Sequence, residues 1–269
     1  MEQLTVIKVG GKIVEDAQTL EQFLSDFSNI PGHKVLVHGG GRSATKIAAS
    51  LGIATRMVGG RRVTDESMLD VVTMVYGGLV NKKIVAKLQS YGLRGLGLTG
   101  ADMDVIRSHR RKPVMVKSDV AGTDSDVMVD FGFVGDVDRC DGKMLSKLIG
   151  EGVVPVMAPL THDGEGHLLN TNADTIAGET AKALARYFDV TLVYCFEKPG
   201  VLQDPDDDNS VISHIDDETF SRLVGEGVIS GGMIPKIDNS LSACKSGVKK
   251  VVITRADRIG KDGGTTITL

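Results

Sequence analysis

The sequence predicts an α/β fold in which a mainly parallel central sheet is covered by helices on both faces. Three observations predict it. Short runs rich in Val, Ile and Leu alternate with longer amphipathic stretches along most of the chain. The apolar runs are continuous, as in strands buried on both faces, and not alternating, as in half-exposed ones. Glycine is abundant, 33 of 269 residues without a collagen period, and glycine clusters mark several junctions between the two kinds of segment.

Taken in order, strands are expected at residues 5–9, 34–38, 95–99, 153–158, 191–196 and 248–254, each bounded by Gly, Pro or polar residues. Helices are expected between them at 17–27, 43–50, 66–91, 143–151, 175–187, 216–226 and 236–246. The second begins after a glycine turn, and the sixth opens with acidic residues that favour a helix N-terminus. Residues 103–139 break the alternation. Short runs at 105–108, 114–118 and 131–138 read there as a hairpin excursion decorating the sheet. Residues 204–210 (DPDDDNS) read as a solvated acidic turn, because they lack the glycine and distal glutamate of a calcium loop. A soft division near residue 158 separates lobes of about 1–158 and 159–269 that share one sheet.

Composition removes several classes of function. A formal charge of −4, with seven Phe, four Tyr and no Trp, offers neither the field nor the stacking surface of a nucleic-acid binder. No apolar run is long enough for a transmembrane span, and the first residues lack the pattern of a signal peptide. Cys140, Cys195 and Cys244 are odd in number and widely spaced. They read as free thiols in a reducing, cytoplasmic setting.

Five segments carry the chemistry. In the first, residues 6–12 (VIKVGGK), a strand runs through Lys8 into Gly10 and Gly11. Glycines let backbone N–H groups approach phosphate oxygens, and the lysine supplies positive charge. Neither a Walker A pattern nor a GxGxxG is present in this segment, which disfavours a P-loop or a dehydrogenase. In the second, residues 35–43 (VLVHGGGRS), Gly39, Gly40 and Gly41 follow a buried strand and open a helix, where a backbone approach to a ligand is the better explanation. His38 reads as a structural histidine, since a carboxylate nucleophile is already ionised at neutral pH and needs no base. In the third, residues 60–65 (GRRVTD), an arginine can clamp a carboxylate with two parallel hydrogen bonds, the bland alternative being two exposed arginines on a loop. The fourth, LLNTNADTIAG (168–178), aims Asn170, Asn172 and Asp174 to one side of an extended segment, while Asp174 could instead cap the helix that follows. The fifth, VISGGMIPK (228–236), places Lys236 at a helix start that the helix dipole disfavours, which points to a ligand phosphate. Junctions of this kind gather along the carboxyl ends of parallel strands, where ligands bind.

On IKVGGK, VHGGGR, GGRRVTD, LLNTNADTIAG and ISGGMIPK the chain, from residue 4 to 269, resembles the amino-acid kinase family. The resemblance implies a three-layer αβα sandwich whose N-terminal half binds an acylated amino acid and whose C-terminal half binds ATP with Mg²⁺, the metal held through the nucleotide phosphates and not by protein ligands. The implied reaction is phosphorylation by ATP of the γ-carboxylate of N-acetylglutamate, the second step of arginine biosynthesis. By that likeness Lys8 and Lys236 stabilise the transferring phosphoryl group, Asp174 positions both lysines, and Gly10 and Gly11 donate N–H groups beside it. Gly40, Gly41, Arg62 and Asn170 hold the acylated amino acid. Glu197, Lys198, Pro199, Gly200, Val201 and Leu202, with Val228, Ile229 and Ser230, lie against the nucleotide. Three departures stand out: Phe196-Glu197 replaces the usual Ser/Thr-Asp, residues 100–104 (GADMD) replace Gly-Lys-Asp-Gly-Gly, and Arg61 replaces a common leucine. The extra cation at Arg61 is either a surface arginine or the partner of a longer, charged acyl group such as succinyl. Family members inhibited by arginine carry an additional N-terminal helix, so entry into the first strand by residue 4 implies a homodimer without that control. Carbamate, uridylate and aspartate kinases are the rivals within the family, and a catalytically silent amino-acid sensor on the same fold is the rival from another class of function.

Overall fold

The computed structural model describes residues 1–117, 126–261 and 263–269. Among these, eight strands form the central sheet in the order His214–Ile215, Thr265–Ile267, Lys250–Arg255, Asp189–Phe196, Gln3–Val9, His33–His38, Val153–Met157, Arg94–Leu98. Neighbours are parallel except Lys250–Arg255 with Thr265–Ile267. All six expected strands lie in this sheet, with ends shifted by one or two residues.

Alternation along each strand sends side chains to two separate cores. Leu4 and Val6 of the first strand pack with the helices Gly142–Gly150, Ala173–Leu184, Asp217–Gly225 and Met233–Lys245. Ile7 and Val9 face the other way, against Gly11–Glu15, Ala17–Asn29, Gly41–Ser50 and a long helix over residues 66–90. The result is the expected three-layer αβα sandwich. The first strand lies between His33–His38, which follows it in sequence, and Asp189–Phe196, which comes much later. Chain order therefore reverses at its carboxyl end, the position where parallel sheets open a crevice.

Three local expectations differ from what forms. Arg94–Leu98 is an edge strand with Leu96 38% exposed, so it is not buried on both faces. Its glycines instead admit a helix: a Cβ on Gly97 would meet Asn81 Oδ1 at 1.8 Å. The stretch expected as one α-helix at 66–91 contains a π-helical segment, Thr73–Val80, between Glu66–Val72 and Asn81–Ser90. Gly77 and Gly78 fall inside that segment, where the α-helix is least favoured.

Residues 103–139 form more than one hairpin. Ile106–Arg110 and Gly135–Cys140 join Leu160–His162 and Leu168–Asn170 in a small second sheet, and Val114–Lys117 pairs with Asp126–Val129. Ser118, the expected end of that strand, lies outside the described residues. The strand expected at 131–138 starts at Gly135, because Phe131 and Val134 pack with Val129 in a small core of their own. Among the described residues no helix is long and apolar enough to cross a membrane.

Candidate active site

Lys8 shares a face of the first strand with Leu4 and Val6 and stands opposite Tyr194 in the register of the neighbouring strand. Its Nζ lies 2.8 Å from Asp174 Oδ1, a close ion pair off the ideal hydrogen-bond direction. Asp174 is free for this role because it does not cap its helix. Asn172 does, its side chain accepting from the N–H groups of Asp174 (2.7 Å) and Thr175 (3.4 Å). The alternative reading of Asp174 as the cap is thereby corrected. Lys236 is the fourth residue of the Met233–Lys245 helix, and its Nζ sits 4.1 Å from the centroid of the Phe196 ring. Among the described residues it has no carboxylate partner, so the expectation that Asp174 pairs with both lysines is met for Lys8 alone. Asp174 and Lys236 line one cavity of about 320 Å³, together with Asn172, Tyr194, Phe196 and Asn239.

A second cavity of about 210 Å³ adjoins it, sharing Gly60, Arg61, Asn172 in its wall. It is lined by Gly39, Gly40, Gly41, Arg62, Tyr76, Val134 and Asn170. Arg62 is only 8% exposed. Its Nη2 donates to the Gly41 carbonyl (2.7 Å) and Thr45 Oγ1 (2.8 Å), and its Nη1 to Thr55 Oγ1 (3.3 Å). A buried guanidinium with neutral acceptors and no carboxylate among the described residues suits an anionic ligand. Asn170 donates to Thr64 Oγ1 (3.0 Å), which fixes its amide at the same wall. Gly40 has a protein reason to be glycine: a Cβ there would stand 2.9 Å from the Tyr76 ring. Burial pushes the Tyr76 phenol up, with the adjacent Arg62 opposing, so the ring stays neutral.

His38 is buried, with Nδ1 2.8 Å from the Gly39 carbonyl and Nε2 3.1 Å from Asn81 Nδ2. Asn81 Nδ2 also donates to the Val156 carbonyl (2.9 Å), so a nitrogen bearing two hydrogens faces Nε2. Nε2 must therefore accept and Nδ1 must donate. Burial holds this neutral ring down at about 4. The structural reading of His38 stands.

The residues expected on the nucleotide side are distributed between rim and core. Glu197 pairs with Lys12 across the ends of neighbouring strands, and Lys198 donates to Asp208 (2.9 Å) in the acidic turn. Gly200 packs tightly, since a Cβ would meet Thr265 Oγ1 and Val211 at 2.8 Å. Pro199, Val201, Leu202 and Ile229 are buried, Val228 is half-buried and Ser230 is exposed. The side chains of Val201 and Ile229 belong to the main core, leaving backbone atoms to meet a ligand. Gly10 and Gly11 sit where the first strand gives way to the Gly11–Glu15 helix, directly after Lys8.

The departure at residues 100–104 has a conformational consequence. Met103 and Asp104, which stand where the family pattern has two glycines, adopt left-handed φ values of 53° and 55°. Asp104 is held there by Arg107 (2.7 Å), His162 (2.7 Å) and Arg139. The three cysteines are free, and burial pushes the Cys140 and Cys195 thiols up to about 12, which leaves them unreactive.

A triphosphate fits these residues. Lys236 lines the cavity with two carboxylates that are both already engaged, Asp174 by Lys8 (2.8 Å) and Glu179 by Lys182 (2.9 Å), so a divalent cation there would be held by phosphate oxygens. No motif in the sequence marks Tyr76, Asn81 or the capping role of Asn172, and Phe196 stands out there only as a departure. One signal could have located it: residues 194 and 196 fall on the same strand face, and Lys8 lies on the adjacent strand.

The model of a family described as "Amino acid kinase family" matches residues 3–255. Acetylglutamate kinase of Bacteroides fragilis is 66% identical over 266 residues, covering 99% of this chain and 97% of that protein. Acetylglutamate kinase of Bacteroides thetaiotaomicron is 64% identical, covering 99% and 98%. Among solved structures, smu.665 from Streptococcus mutans superposes with a TM-score of 0.74 at 26% identity, over 98% of both chains.

Proposed function

The chain belongs to the amino acid kinase family, and from that premise we propose that it transfers the γ-phosphoryl group of ATP to the γ-carboxylate of N-acetylglutamate, giving N-acetylglutamyl 5-phosphate in the second step of arginine biosynthesis. One observation carries this reading: a cavity lined by Lys236 and by Asp174, the ion-pair partner of Lys8, adjoins a second that holds the buried Arg62, with Gly60, Arg61 and Asn172 common to both.

The acylated amino acid occupies the second cavity, where Arg62 and Asn170 meet its polar groups and the Gly39–Gly41 turn supplies N–H donors. Its γ-carboxylate is ionised at neutral pH, so no base is required. The γ-phosphoryl group lies in the first cavity between Lys8 and Lys236. Their charges offset that developing on the equatorial oxygens, and positioning does the remainder. Asp174 keeps Lys8 in place by the 2.8 Å ion pair. Mg²⁺, carried in with the nucleotide and not by protein ligands, would supply further neutralisation. The division near residue 158 gives each lobe one reactant, supported by strands of residues 3–157 filling one side of the sheet and those of 189–267 the other. A homodimer is supported by the apolar Leu96, exposed on the edge strand, and a cytoplasmic location by three free thiols.

A second reading concerns the acyl group. Arg61 is shared by both cavities; burial, and then the neighbouring Arg111, press its guanidinium below its ordinary value. Arg111 already takes both oxygens of Asp136. A succinyl carboxylate would relieve that surplus of charge, making N-succinylglutamate the alternative substrate. Trapping the acyl phosphate with hydroxylamine tests the reaction class: one hydroxamate per ADP is expected, and ADP release without hydroxamate would reject transfer to a carboxylate.

A further inference from the structure

Lys8 and Lys236, the pair to which the proposed reaction assigns neutralisation of the phosphoryl group, are countered differently. Lys8 has Asp174 at 2.8 Å. Lys236 has no carboxylate among the described residues, and its Nζ instead lies 4.1 Å from the Phe196 ring centroid, with Lys8 Nζ 5.6 Å from the same centroid. Both distances fall within the range in which a ring face attracts a cation.

We infer that Phe196 is a positioning residue for phosphoryl transfer, an aromatic face that fixes the Lys236 ammonium, and more loosely that of Lys8, without cancelling its charge. The inference rests on the assignment of the two lysines and deepens it.

The placement follows from the strand. Tyr194 and Phe196 lie two residues apart on one face of Asp189–Phe196, with ring centroids 6.1 Å apart and planes at 19°. The Tyr194 hydroxyl donates to the Asp174 carbonyl (3.3 Å), so the pair of rings is braced against the turn that carries the carboxylate partner of Lys8. Lys236 sits in the first turn of its helix, where the dipole repels a cation. The ring quadrupole offsets that repulsion. A carboxylate at the same place would do so too, but it would arrive with its own charge and compete with the phosphoryl oxygens. An aromatic face attracts the ammonium and leaves its full charge for the incoming anion. The ring also occupies one side of the ammonium that water would otherwise solvate, which strengthens its field in the cavity. Neither neighbour in sequence could substitute: Cys195 points into the opposite core and Glu197 is exposed and engaged with Lys12.

The test replaces Phe196 in the full-length protein by mono-, di- and trifluorophenylalanine, which weakens the ring face stepwise with little change of shape. Turnover with ATP and N-acetylglutamate should fall progressively, by roughly 3- to 30-fold across the series, while KM for the acylated amino acid and the melting temperature stay constant. Phe196→Leu should lose a comparable factor and Phe196→Tyr should retain activity. A turnover independent of fluorination overturns the inference, whatever Phe196→Leu does to folding. Lys236→Ala separates the two levels. A flat fluorine series with a crippled Lys236→Ala rejects the role of Phe196 and leaves the lysine assignment intact, whereas near-normal turnover in Lys236→Ala rejects both.

Discussion

Asp174 Oδ1 lies 2.8 Å from Lys8 Nζ, so the first turn of the Ala173–Leu184 helix is tied by charge to the carboxyl end of the first strand. Replacing Asp174 by Asn keeps its shape and removes the charge. Lys8 is then free to drift, and a displacement of about 1 Å is enough to cost on the order of 100-fold in rate. Asp174→Asn should therefore lower kcat by about 10- to 100-fold with an unchanged circular dichroism spectrum. Wild-type kcat in that variant would show that Lys8 needs no partner.

Arg62 makes an independent case. Its planar fork reaches Gly41, Thr45 and Thr55 from one buried position, and a lysine cannot span them. Arg62→Lys should raise KM for the acylated amino acid by about 30-fold or more, leaving KM for ATP close to wild type. A shift confined to ATP would place the amino acid elsewhere.

His38 sets a pH dependence of stability. Its ring is neutral in the folded protein with a pKa of about 4, against 6.5 for the free side chain. Below 6.5 the unfolded chain binds a proton that the folded one refuses, so the contribution is complete above pH 6.5. It is lost as pH falls from 6.5 toward about 4, amounting to about 3 kcal/mol at most. Urea unfolding at pH 7 and pH 4.5 should show this loss in the wild type and a smaller one in His38→Asn. Equal losses would place the acid sensitivity elsewhere.

Met103 holds a left-handed backbone conformation with its side chain 49% exposed. A side chain there costs about 1–2 kcal/mol, and the extra chain entropy of glycine returns part of it. Met103→Gly should stabilise by about 0.5–1 kcal/mol in chemical denaturation. Destabilisation would mean that the Met103 side chain contributes packing that outweighs the strain.

The parts of this molecule legible from sequence were those set by local chemistry. Strand-to-glycine junctions located Lys8, Gly10, Gly11 and the Gly39–Gly41 turn, and continuous apolar runs located all six expected sheet strands. The edge position of Arg94–Leu98 was not legible, because Gly95 and Gly97 fit a buried strand and a close helix equally well. The π-helical segment was hidden for a similar reason: residues 66–90 keep a helical pattern, and only the tertiary demands of Tyr76 against Gly40 and Asn81 against His38 reveal the changed pitch. The partnership of Phe196 with Lys236 joins residues forty positions apart across two elements, and only the folded chain brings them together. The cap fell to the Asn172 amide because the Asp174 carboxylate is engaged by Lys8, a contact that only the folded chain makes.

The central claim meets its most direct test in ADP release measured with ATP and, side by side, N-acetylglutamate, N-succinylglutamate, glutamate, aspartate and carbamate. Saturable release with an N-acylglutamate, and none above background with the other three acceptors, is the predicted result. Absence of release with both N-acylglutamates would contradict the account.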